Sequence, residues 1–354
     1  MQLLALRSAL PGFVMFLMTS MLLLASAGLS QSTGPQAKGS PTKSAGSTSR
    51  ALVASTILDI LAADRSTDRT LVQLRRFRQG SGIVTIREQL VVDSNGVDVQ
   101  GHQLSFLGVE GELPGSTAYQ KWQQTYALFA EQFYRQGTFR VRDVVLAKQN
   151  YSLYDFGPSS RAGRPTRLTV VFPLSPEKSI WVVDVDNATG LVLHSIEFDA
   201  NLTVLSEVEV LSVVLAAQLQ ATTPVPTVNS FAAAAAALGN PAGLVEPVTT
   251  MVGEYTLILV ETRVDPWNGM PKVVLTYSDG IDQFTVSEKP GSLDPFAGLP
   301  GSEPGTGTIG RYRDRAMSAL VFWDDGVAFE VVGNGGLQRL DEVAMALYTA
   351  ALAQ

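Results

Sequence analysis

Two short patterns in the sequence have the residue types and spacing of known chemical sites. Gly305–Gly310 (GTGTIG) fits the G-x-G-x-x-G of a phosphate-binding turn, but such a turn lies between a strand and a helix. Here a Gly- and Pro-rich stretch precedes it and a predicted hairpin follows, so nucleotide binding is not expected. Ser175 and Lys178 have the spacing of a lysine-activated serine. Pro176 predicts a turn there and no Ser-Asp-Asn or Lys-Thr-Gly partner motif exists, so we interpret the match as a coincidence.

The two histidines of the chain, His102 and His194, stand apart in strand-like surroundings. Neither has a second ligand at helical spacing, so each is expected to be hydrogen-bonded within a sheet and not bound to a metal ion. Asp184, Asp186 and Asn187 resemble the start of a calcium loop, but the glycine and the terminal glutamate of that twelve-residue loop are missing. The sequence therefore predicts no metal, no cofactor and no catalytic residue.

The composition restricts the class of protein further. The chain has 354 residues, 45% hydrophobic and 17% charged, with a formal net charge of −7. An acidic chain without a long basic run argues against nucleic acid as the main partner. The lack of cysteine excludes disulfides, thiolate metal ligands, cysteine catalysis and a lipid-modified amino-terminal cysteine.

The amino-terminal segment has the pattern of an export signal. Arg7 precedes the apolar run Phe13–Leu24, and Ala25-Ser26-Ala27 follows as a small-x-small cleavage site. We predict a signal peptide over Met1–Ala27, the alternative being an uncleaved anchor. Gly28–Arg50, rich in Ser, Thr, Gly, Pro and Lys, is predicted to be a disordered tether. The protein is therefore expected outside the cytoplasm, in the periplasm or another extracytoplasmic space of a bacterium.

Most elements that would position a site are predicted to be strands. Ser179–Leu215 reads as a three-strand meander, because β-branched runs alternate with the turn residues Asn187–Gly190 and Asp199–Asn201. Gly157–Pro165 is interpreted as a flexible basic loop, and Ala51–Ala63 as a short entry helix. Further strands of the same sheet are predicted over Leu71–Phe77, Ile83–Val92, Val97–Phe106, Phe139–Leu146 and Arg167–Leu174.

One helix stands out among these strands. Over Ser116–Tyr134, the aromatic residues Trp122, Tyr126, Phe129 and Phe133 recur at steps of four, three and four, which places them on one helical face. Such a stripe must lie against apolar groups. Two interpretations remain open: the stripe closes the core of the sheet, or it forms a wall of a hydrophobic ligand cleft.

The chain changes character after the meander. Thr222–Pro247 is rich in Ala, Pro and Gly, so a domain boundary is placed there. The predicted organisation is an amino-terminal domain over Ala51–Ala221, a linker over Thr222–Met251 and a carboxy-terminal domain over Val252–Gln354. Strands in the second domain are predicted over Tyr255–Val264, Lys272–Tyr277, Ile281–Glu288, Ala319–Trp323 and Val327–Val332, with a closing helix around Leu337–Ala351 and a Pro/Gly loop over Pro290–Gly310.

Two segments carry a family resemblance. The meander, with Asp184-Val-Asp, Asn187-Ala-Thr-Gly-Leu and Phe198-Asp between its strands, resembles the end of the sheet shared by the LolA lipoprotein carrier and the MucB/RseB regulators of envelope-stress sigma factors. Leu275–Val286 (LTYSDGIDQFTV) resembles a hairpin in the carboxy-terminal domain of RseB-like proteins. The resemblance implies an α+β, mainly antiparallel β fold: a LolA-like curved sheet (half-barrel) with packed helices, plus a smaller carboxy-terminal sheet-and-helix domain.

The same resemblance implies a function. It suggests a non-catalytic extracytoplasmic regulator that binds a hydrophobic ligand, a lipid or lipoprotein acyl chain, and modulates a membrane anti-sigma factor. The residues expected to line the ligand cleft are Trp122, Tyr126, Phe129, Phe133 and Trp181. The alternatives are a lipid or lipoprotein carrier without a regulatory partner and an exported hydrolase, although no nucleophile, base and orienting acid cluster in the sequence.

Overall fold

The computed structural model divides the chain into two units, Met1–Arg50 and Ala51–Gln354. The predicted signal peptide and tether lie outside the described residues, apart from Arg50, and the fold below is that of the second unit. No helix among the described residues is long and apolar enough to cross a membrane. The structure describes residues 50–51, 60, 63–79, 82–96, 99–135, 137–176, 178–216, 223–224, 230–239, 244, 250–251, 255–265, 269–290, 302–303, 310–314, 317–324, 327–333, 342–343 and 345.

A large antiparallel sheet forms the first part of the fold. A two-residue strand, β1, precedes the other strands in the chain. The order of those strands across the sheet is β5-β6-β7-β8-β9-β2-β3-β4-β10. Because no pairing within the described part of the chain joins β5 to β4 or β10, the sheet is open. The strands are β1 (Arg50–Ala51), β2 (Arg69–Gln79), β3 (Gly82–Ser94), β4 (Val99–Val109), β5 (Tyr151–Arg161), β6 (Arg164–Pro173), β7 (Ile180–Asp186), β8 (Val192–Phe198), β9 (Val204–Val214) and β10 (Thr223–Pro224).

A second antiparallel sheet has the order β11-β12-β13-β14-β18-β17-β16-β15. Its core includes Tyr255, Leu275, Tyr277, Phe284 and Phe329. The strands are β11 (Thr250–Met251), β12 (Tyr255–Val264), β13 (Pro271–Ser278), β14 (Gln283–Pro290), β15 (Ser302–Glu303), β16 (Gly310–Asp314), β17 (Met317–Asp324) and β18 (Val327–Gly333).

Three helices have defined bounds: α1 (Thr117–Arg135), α2 (Val144–Asn150) and α3 (Phe231–Ala237). Ser116 caps the amino terminus of α1, its Oγ accepting a hydrogen bond from the amide of Tyr119 at 3.1 Å. Ala234 of α3 lies in the core of the second sheet. Of the predicted entry helix over Ala51–Ala63, residues 51, 60 and 63 are described: Ala51 belongs to β1, and residues 60 and 63 are helical. Of the predicted closing helix, residues 342–343 and 345 are described and are helical.

The predicted fold class and the principal elements are confirmed. The fold is α+β with mainly antiparallel strands, the aromatic helix is found within one residue of its predicted bounds, and the meander forms β7, β8 and β9. The predicted strands of the second domain match β12, β13, β14, β17 and β18. The domain boundaries themselves stay a prediction, and most of Pro290–Gly310 lies outside the described residues.

The predicted strand over Phe139–Leu146 is wrong. Residues 139–143 have no strand pairing, and α2 begins at Val144. Phe139 and Val141 are nevertheless buried, because they pack in the core cluster that holds Trp181 and Val183 of β7. Asp143 then caps α2, its Oδ1 accepting a hydrogen bond from the amide of Leu146 at 2.9 Å. The alternating pattern was a signal of burial and not of pairing.

The predicted loop over Gly157–Pro165 is also wrong. β5 continues to Arg161 and β6 begins at Arg164, so only two residues connect them. These residues, Ala162 and Gly163, have φ angles of 49° and 71°, the conformation that closes a two-residue hairpin. Gly157 and Pro158 lie in β5, which has a register shift between Asp155 and Gly157, and Pro165 lies in β6.

Candidate functional site

Helix α1 packs an aromatic face onto the first sheet. Tyr126 and Phe133 are 2% and 0% exposed and form a core cluster with Phe77 of β2 and Ile86 of β3, against which Trp122 also packs. The ring of Phe77 lies 5.9 Å from that of Phe133 and 6.2 Å from that of Trp122, centroid to centroid. Three residues of the predicted stripe, Trp122, Tyr126 and Phe133, therefore face the sheet.

Trp181 lies in a different part of the interior. Its ring contacts Phe139 edge-on at 5.5 Å, in a cluster that includes Val183 and Ile281. The structure thus brings Trp122, Tyr126 and Phe133 together and places Trp181 apart from them. The side chain of Phe129 lies outside the described set. That these five residues line a ligand cleft stays a prediction.

A buried ion pair lies beneath α1. Arg75 of β2 and Glu88 of β3 have side chains that are 1% and 0% exposed. Arg75 donates to Glu88 Oε1 from Nε at 3.1 Å and from Nη2 at 2.8 Å, and Gln73 Nε2 donates to the same oxygen at 2.6 Å. The second oxygen, Oε2, accepts a hydrogen bond from the hydroxyl of Tyr126 at 2.6 Å. Burial, followed by the charge of Glu88, raises the pKa of the Tyr126 hydroxyl far above its usual value.

The same arginine also binds the segment that follows α1. Arg75 Nη1 donates to the carbonyl of Gly137 at 2.5 Å, and Nη2 donates to Thr138 Oγ1 at 3.3 Å. The Arg75–Glu88 pair therefore fastens both the middle of α1 and its carboxy-terminal connection to the sheet. We call these contacts of Gln73, Arg75, Glu88 and Tyr126 the polar latch. Each member needs the others, because an uncompensated charge at full burial is costly.

The latch was not predicted from the sequence, although a signal for it was present. Arg69, Gln73 and Arg75 occupy alternate positions of β2 together with Leu71 and Phe77, and all five are buried. In a strand, alternate residues face the same side of the sheet. Polar residues on an otherwise apolar face predict buried polar contacts, and only the partners could not be read from the pattern.

A small cavity of about 30 Å³ lies next to the latch, and Gln73 and Thr138 belong to both. A cavity of this size holds about two water molecules. Its walls are mainly aliphatic and aromatic, and charged groups stand along one part of the lining. The lining residues are Ile60, Asp64, Arg69, Leu71, Gln73, Leu90, Thr138, Phe139, Arg140, Leu191, Val192, His194, Ser195, Val208 and Val210.

Helix α1 is also tied to the second sheet by a ring of alternating charges. Glu131 Oε1 pairs with Arg135 Nε at 2.5 Å and with Arg263 Nη1 of β12 at 3.1 Å. Glu261 of β12 completes the ring, since its Oε1 lies 3.0 Å from Arg135 Nη1 and 2.7 Å from Arg263 Nη2. Burial raises the pKa of Glu261 to about 7 against the opposing effect of Arg135. A movement of α1 would therefore change the ion pairs of β12.

A buried turn makes the second contact between the two sheets. Lys178 and Asp279 form an ion pair at 2.6 Å with both side chains 0% exposed, and the hydroxyl of Tyr151 donates to Asp279 Oδ2 at 2.9 Å. The carbonyl of Gly280 accepts hydrogen bonds from the amides of Arg142 and Asp143, at 2.8 and 3.3 Å. The turn between β13 and β14 thus fills a socket formed by the start of α2 and β5.

The residues first examined for chemistry have structural partners. His194 lies in β8 with Nδ1 3.1 Å from Asp184 and Nε2 2.9 Å from Glu207, and His102 in β4 lies 2.8 Å from Glu131. The described residues contain no group of three or more His, Cys, Asp or Glu side chains placed to hold a metal ion. Residues 305–309 of the G-x-G-x-x-G match lie outside the described part of the chain.

The first sheet is antiparallel and open, with helix α1 packed on its face. Solved structures with a similar fold include MucB, with a TM-score of 0.48 and 19% identity over 82% of this chain and 95% of that chain. The MucA/MucB complex of Pseudomonas aeruginosa matches with a TM-score of 0.45 and 20% identity over 82% and 96% of the respective chains.

A putative outer membrane lipoprotein-sorting protein domain from Vibrio parahaemolyticus is also similar, with a TM-score of 0.20 and 9% identity over 83% of this chain and 97% of that chain. No family model matches the chain, and no curated protein matches it.

Proposed function

We propose that this protein is a non-catalytic extracytoplasmic regulator that binds a hydrophobic ligand, a lipid or lipoprotein acyl chain, beneath α1 and modulates a membrane anti-sigma factor. The observation that carries the proposal is the seating of the aromatic face of α1 on an open sheet. Because the sheet is not closed, α1 can leave its face without unpairing any strand. An acyl chain would then take the place of Tyr126 and Phe133.

The energetics support such an exchange. Burial of each methylene is worth ~0.8 kcal/mol, so a twelve-carbon chain supplies on the order of 9 kcal/mol. The opposing cost is the loss of aromatic packing and of the Tyr126–Glu88 hydrogen bond at 2.6 Å. Ligand binding and helix closure would therefore compete for the same surface.

The ring of charges supports a regulatory role. Arg135 and Glu131 of α1 contact Glu261 and Arg263 of β12, so displacing α1 would separate charges that are otherwise paired. Glu261 is fully buried, and a buried carboxylate that loses its arginine is strongly destabilised. Ligand uptake in the first sheet would in this way change the contacts of the second sheet.

The sequence resemblance supports the kind of partner. The meander over Ser179–Leu215 and the hairpin Leu275–Val286 resemble the MucB/RseB regulators, and MucB has been crystallised with the periplasmic part of MucA. The partner proposed for this chain is therefore a membrane anti-sigma factor of the organism that produces it.

Purification from the native host followed by mass spectrometry tests the proposal. We expect an acyl-bearing molecule and a membrane anti-sigma factor to be recovered with the protein. Recovery of the acyl ligand without the anti-sigma factor would favour the alternative, a carrier without a regulatory partner. Recovery of neither would contradict both functions.

A direct binding measurement tests the place of the ligand. Tyr126→Phe removes one hydrogen bond of the latch and retains the ring, so the variant should open more readily and bind a fluorescent acyl probe severalfold more tightly. Tyr154→Phe is the matched control, because Tyr154 packs on Phe172 in β5 and β6, away from α1. Equal affinity of wild type and Tyr126→Phe would contradict a ligand site beneath α1.

A further inference from the structure

The charged part of the cavity lining has an excess of positive groups. Asp64 Oδ1 lies 2.6 Å from Arg69 Nη2, and Asp64 Oδ2 lies 3.6 Å from Arg140 Nε. Although burial raises the pKa of Asp64, the charges of Arg140, Arg69, Arg142 and Arg65 lower it below its usual value. Four guanidinium groups therefore act on one carboxylate.

The neighbouring acids are shared with other partners. The charge of Glu131 helps to raise the pKa of Arg140. Glu131 already pairs with His102, Arg135 and Arg263, however. The charge of Asp282 opposes the lowering of the pKa of Arg142. Asp282 also accepts a hydrogen bond from the hydroxyl of Tyr255 at 2.7 Å. Burial, followed by the charge of Arg140, lowers the pKa of Arg142 to about 9. A guanidinium loses basicity in this way only where burial and like charge outweigh the nearby carboxylates.

Several polar atoms at this place have open hydrogen-bonding capacity. The Nε atoms of Arg140 and Arg142 and the hydroxyl of Ser195 are buried and have no hydrogen-bond partner among the described residues. Arg140 and Ser195 both line the cavity, as does Arg69. Buried donors of this kind are normally satisfied by protein, water or ligand. Two of these three residues, Arg140 and Ser195, thus line the same cavity, as expected of a site for a group that accepts hydrogen bonds.

The surroundings of these donors are apolar and continuous with the surface beneath α1. Leu71, Leu90 and Val210 line the cavity and belong to the core cluster that also holds Tyr134 of α1. Leu104 packs against that cluster and against the cluster of Tyr126 and Phe133. An apolar chain lying along the inner face of α1 would thus reach the cavity without crossing solvent.

We propose that the cavity bounded by Arg69, Arg140 and Ser195 is the site for the anionic group, a carboxylate or a phosphate, of an amphiphile whose chain lies beneath α1. The proposal rests on the function proposed above and names its ligand class. The volume of about 30 Å³, room for about two water molecules, suits the oxygens of one such group. Its negative charge would offset the arginine excess, and its oxygens would accept from the Nε of Arg140 and the hydroxyl of Ser195.

Calorimetric titration of the purified protein with matched twelve-carbon amphiphiles tests the site. Dodecanoate and dodecyl phosphate carry the charge, and monolauroylglycerol is neutral. We expect the affinity for each anionic amphiphile to be at least about tenfold higher than for the neutral one, since hydrogen bonds to a charged group are stronger than those between neutral groups. Tighter binding of one anionic compound than the other would identify which headgroup the cavity prefers. Equal binding of charged and neutral compounds to the wild-type protein would overturn the proposal, independently of any variant.

A charge-removing variant locates the site. Arg140→Met should remove the preference for the anionic amphiphile while retaining binding of the neutral one. Arg167→Met is the matched control, because Arg167 lies on β6 with half of its side chain exposed and pairs with Asp155. Retention of the preference in Arg140→Met, or its loss in Arg167→Met, would place the anion elsewhere and contradict the proposal.

The same titrations separate failure of this inference from failure of the proposed function. If neutral and anionic amphiphiles bind equally, the hydrophobic site stands and the anion site fails. If no amphiphile binds, the proposed function fails with it. Inorganic phosphate binding as tightly as dodecyl phosphate would also contradict an amphiphile, because the chain would then contribute nothing.

Discussion

The polar latch shows how a few charged residues are accommodated in an apolar interior. Arg75 is almost fully buried, and the acceptors for its guanidinium are Glu88, Gly137 and Thr138. A buried pair of this kind adds little to stability relative to apolar residues, but it is sensitive to loss of one member. It also fixes where α1 sits, because only one position of the helix lets Tyr126 reach Glu88.

Arg75→Met should therefore destabilise the protein by about 3–5 kcal/mol, because Glu88 would remain buried without its cation. Urea denaturation measures the difference. The control is Arg76→Met, one position along β2, where the side chain is 29% exposed and pairs with Glu207 and Glu209 at the surface. That change should cost no more than about 1 kcal/mol. Equal losses in the two variants would show that the latch has no special role.

Glu197 gives the fold a pH dependence. Burial, with a smaller contribution from the charge of Asp282, raises the pKa of this carboxyl to about 8, although Ser179 and Ser206 donate to it. An acid whose pKa is higher in the folded state favours folding while it is protonated. Its contribution is therefore lost as the pH rises from its unfolded value, near 4.5, towards about 8.

As the pH rises across this interval, we expect the free energy of unfolding of the wild type to fall relative to that of Glu197→Gln. The relative fall should be on the order of 4 kcal/mol. Urea denaturation of both proteins at pH 5 and pH 8 measures the relative change. Glu110→Gln, at an exposed position after β4, should follow the wild type. A parallel pH profile in Glu197→Gln would contradict the assignment to Glu197.

Among the elements, the turn between β13 and β14 has the strictest steric requirement. Gly280 has a φ of 110°, and a Cβ atom built there would lie 2.1 Å from the backbone nitrogen of Ala147 in α2. Both the conformation and the space require glycine. The turn can enter its socket only because the side chain is absent.

Gly280→Ala should lower the stability by several kcal/mol, about 1–2 from the backbone conformation and more from the clash. Gly269→Ala is the control, since Gly269 has a φ of 71° with nothing within 4 Å of an added Cβ. It should show the conformational cost alone. Thermal unfolding of both variants separates the two contributions, and equal shifts in Tm would contradict the steric argument.

The same elements show what the sequence could predict. The strands of the meander and the aromatic helix were predictable because each has a strong local period and clear turn residues. Phe139–Leu146 and Gly157–Pro165 were not, since the first alternates without pairing and the second pairs despite its Gly and Pro. In both, a neighbouring segment decided the outcome, and local pattern carries no information about that neighbour.

At the scale of the whole molecule, the contact between the two sheets could not be predicted. Lys178 appeared only as part of a chance Ser-x-x-Lys match, and Asp279 only as a hairpin turn residue. Their ion pair joins positions about a hundred residues apart, as the charge ring joins α1 to β12. Of the candidate site, the aromatic stripe was predicted, whereas the latch, the cavity and its arginines required the fold to bring them together.

Loss of the ion pair should loosen this contact without unfolding either sheet. In Lys178→Met, hydrogen exchange should become faster at the amides of Arg142 and Asp143, which donate to the carbonyl of Gly280. Amides in the middle of β3 should exchange as in the wild type. Unchanged exchange at residues 142 and 143 would show that backbone hydrogen bonds alone hold the turn in its socket.

The pairing of β2 with β9 has a consequence for how the chain reaches its native state. Leu71 lies opposite Val213 and Phe77 opposite Ser206, so two strands at the centre of the sheet come from distant parts of the chain. A nascent chain that emerges amino terminus first can form the hairpin of β2 and β3 early, but its other edge stays unpaired until Val214 has appeared. The long loop that must be closed makes this step slow. During that interval the exposed edge of β2 is open to pairing with other chains, which gives a chain of this topology a reason to require a chaperone.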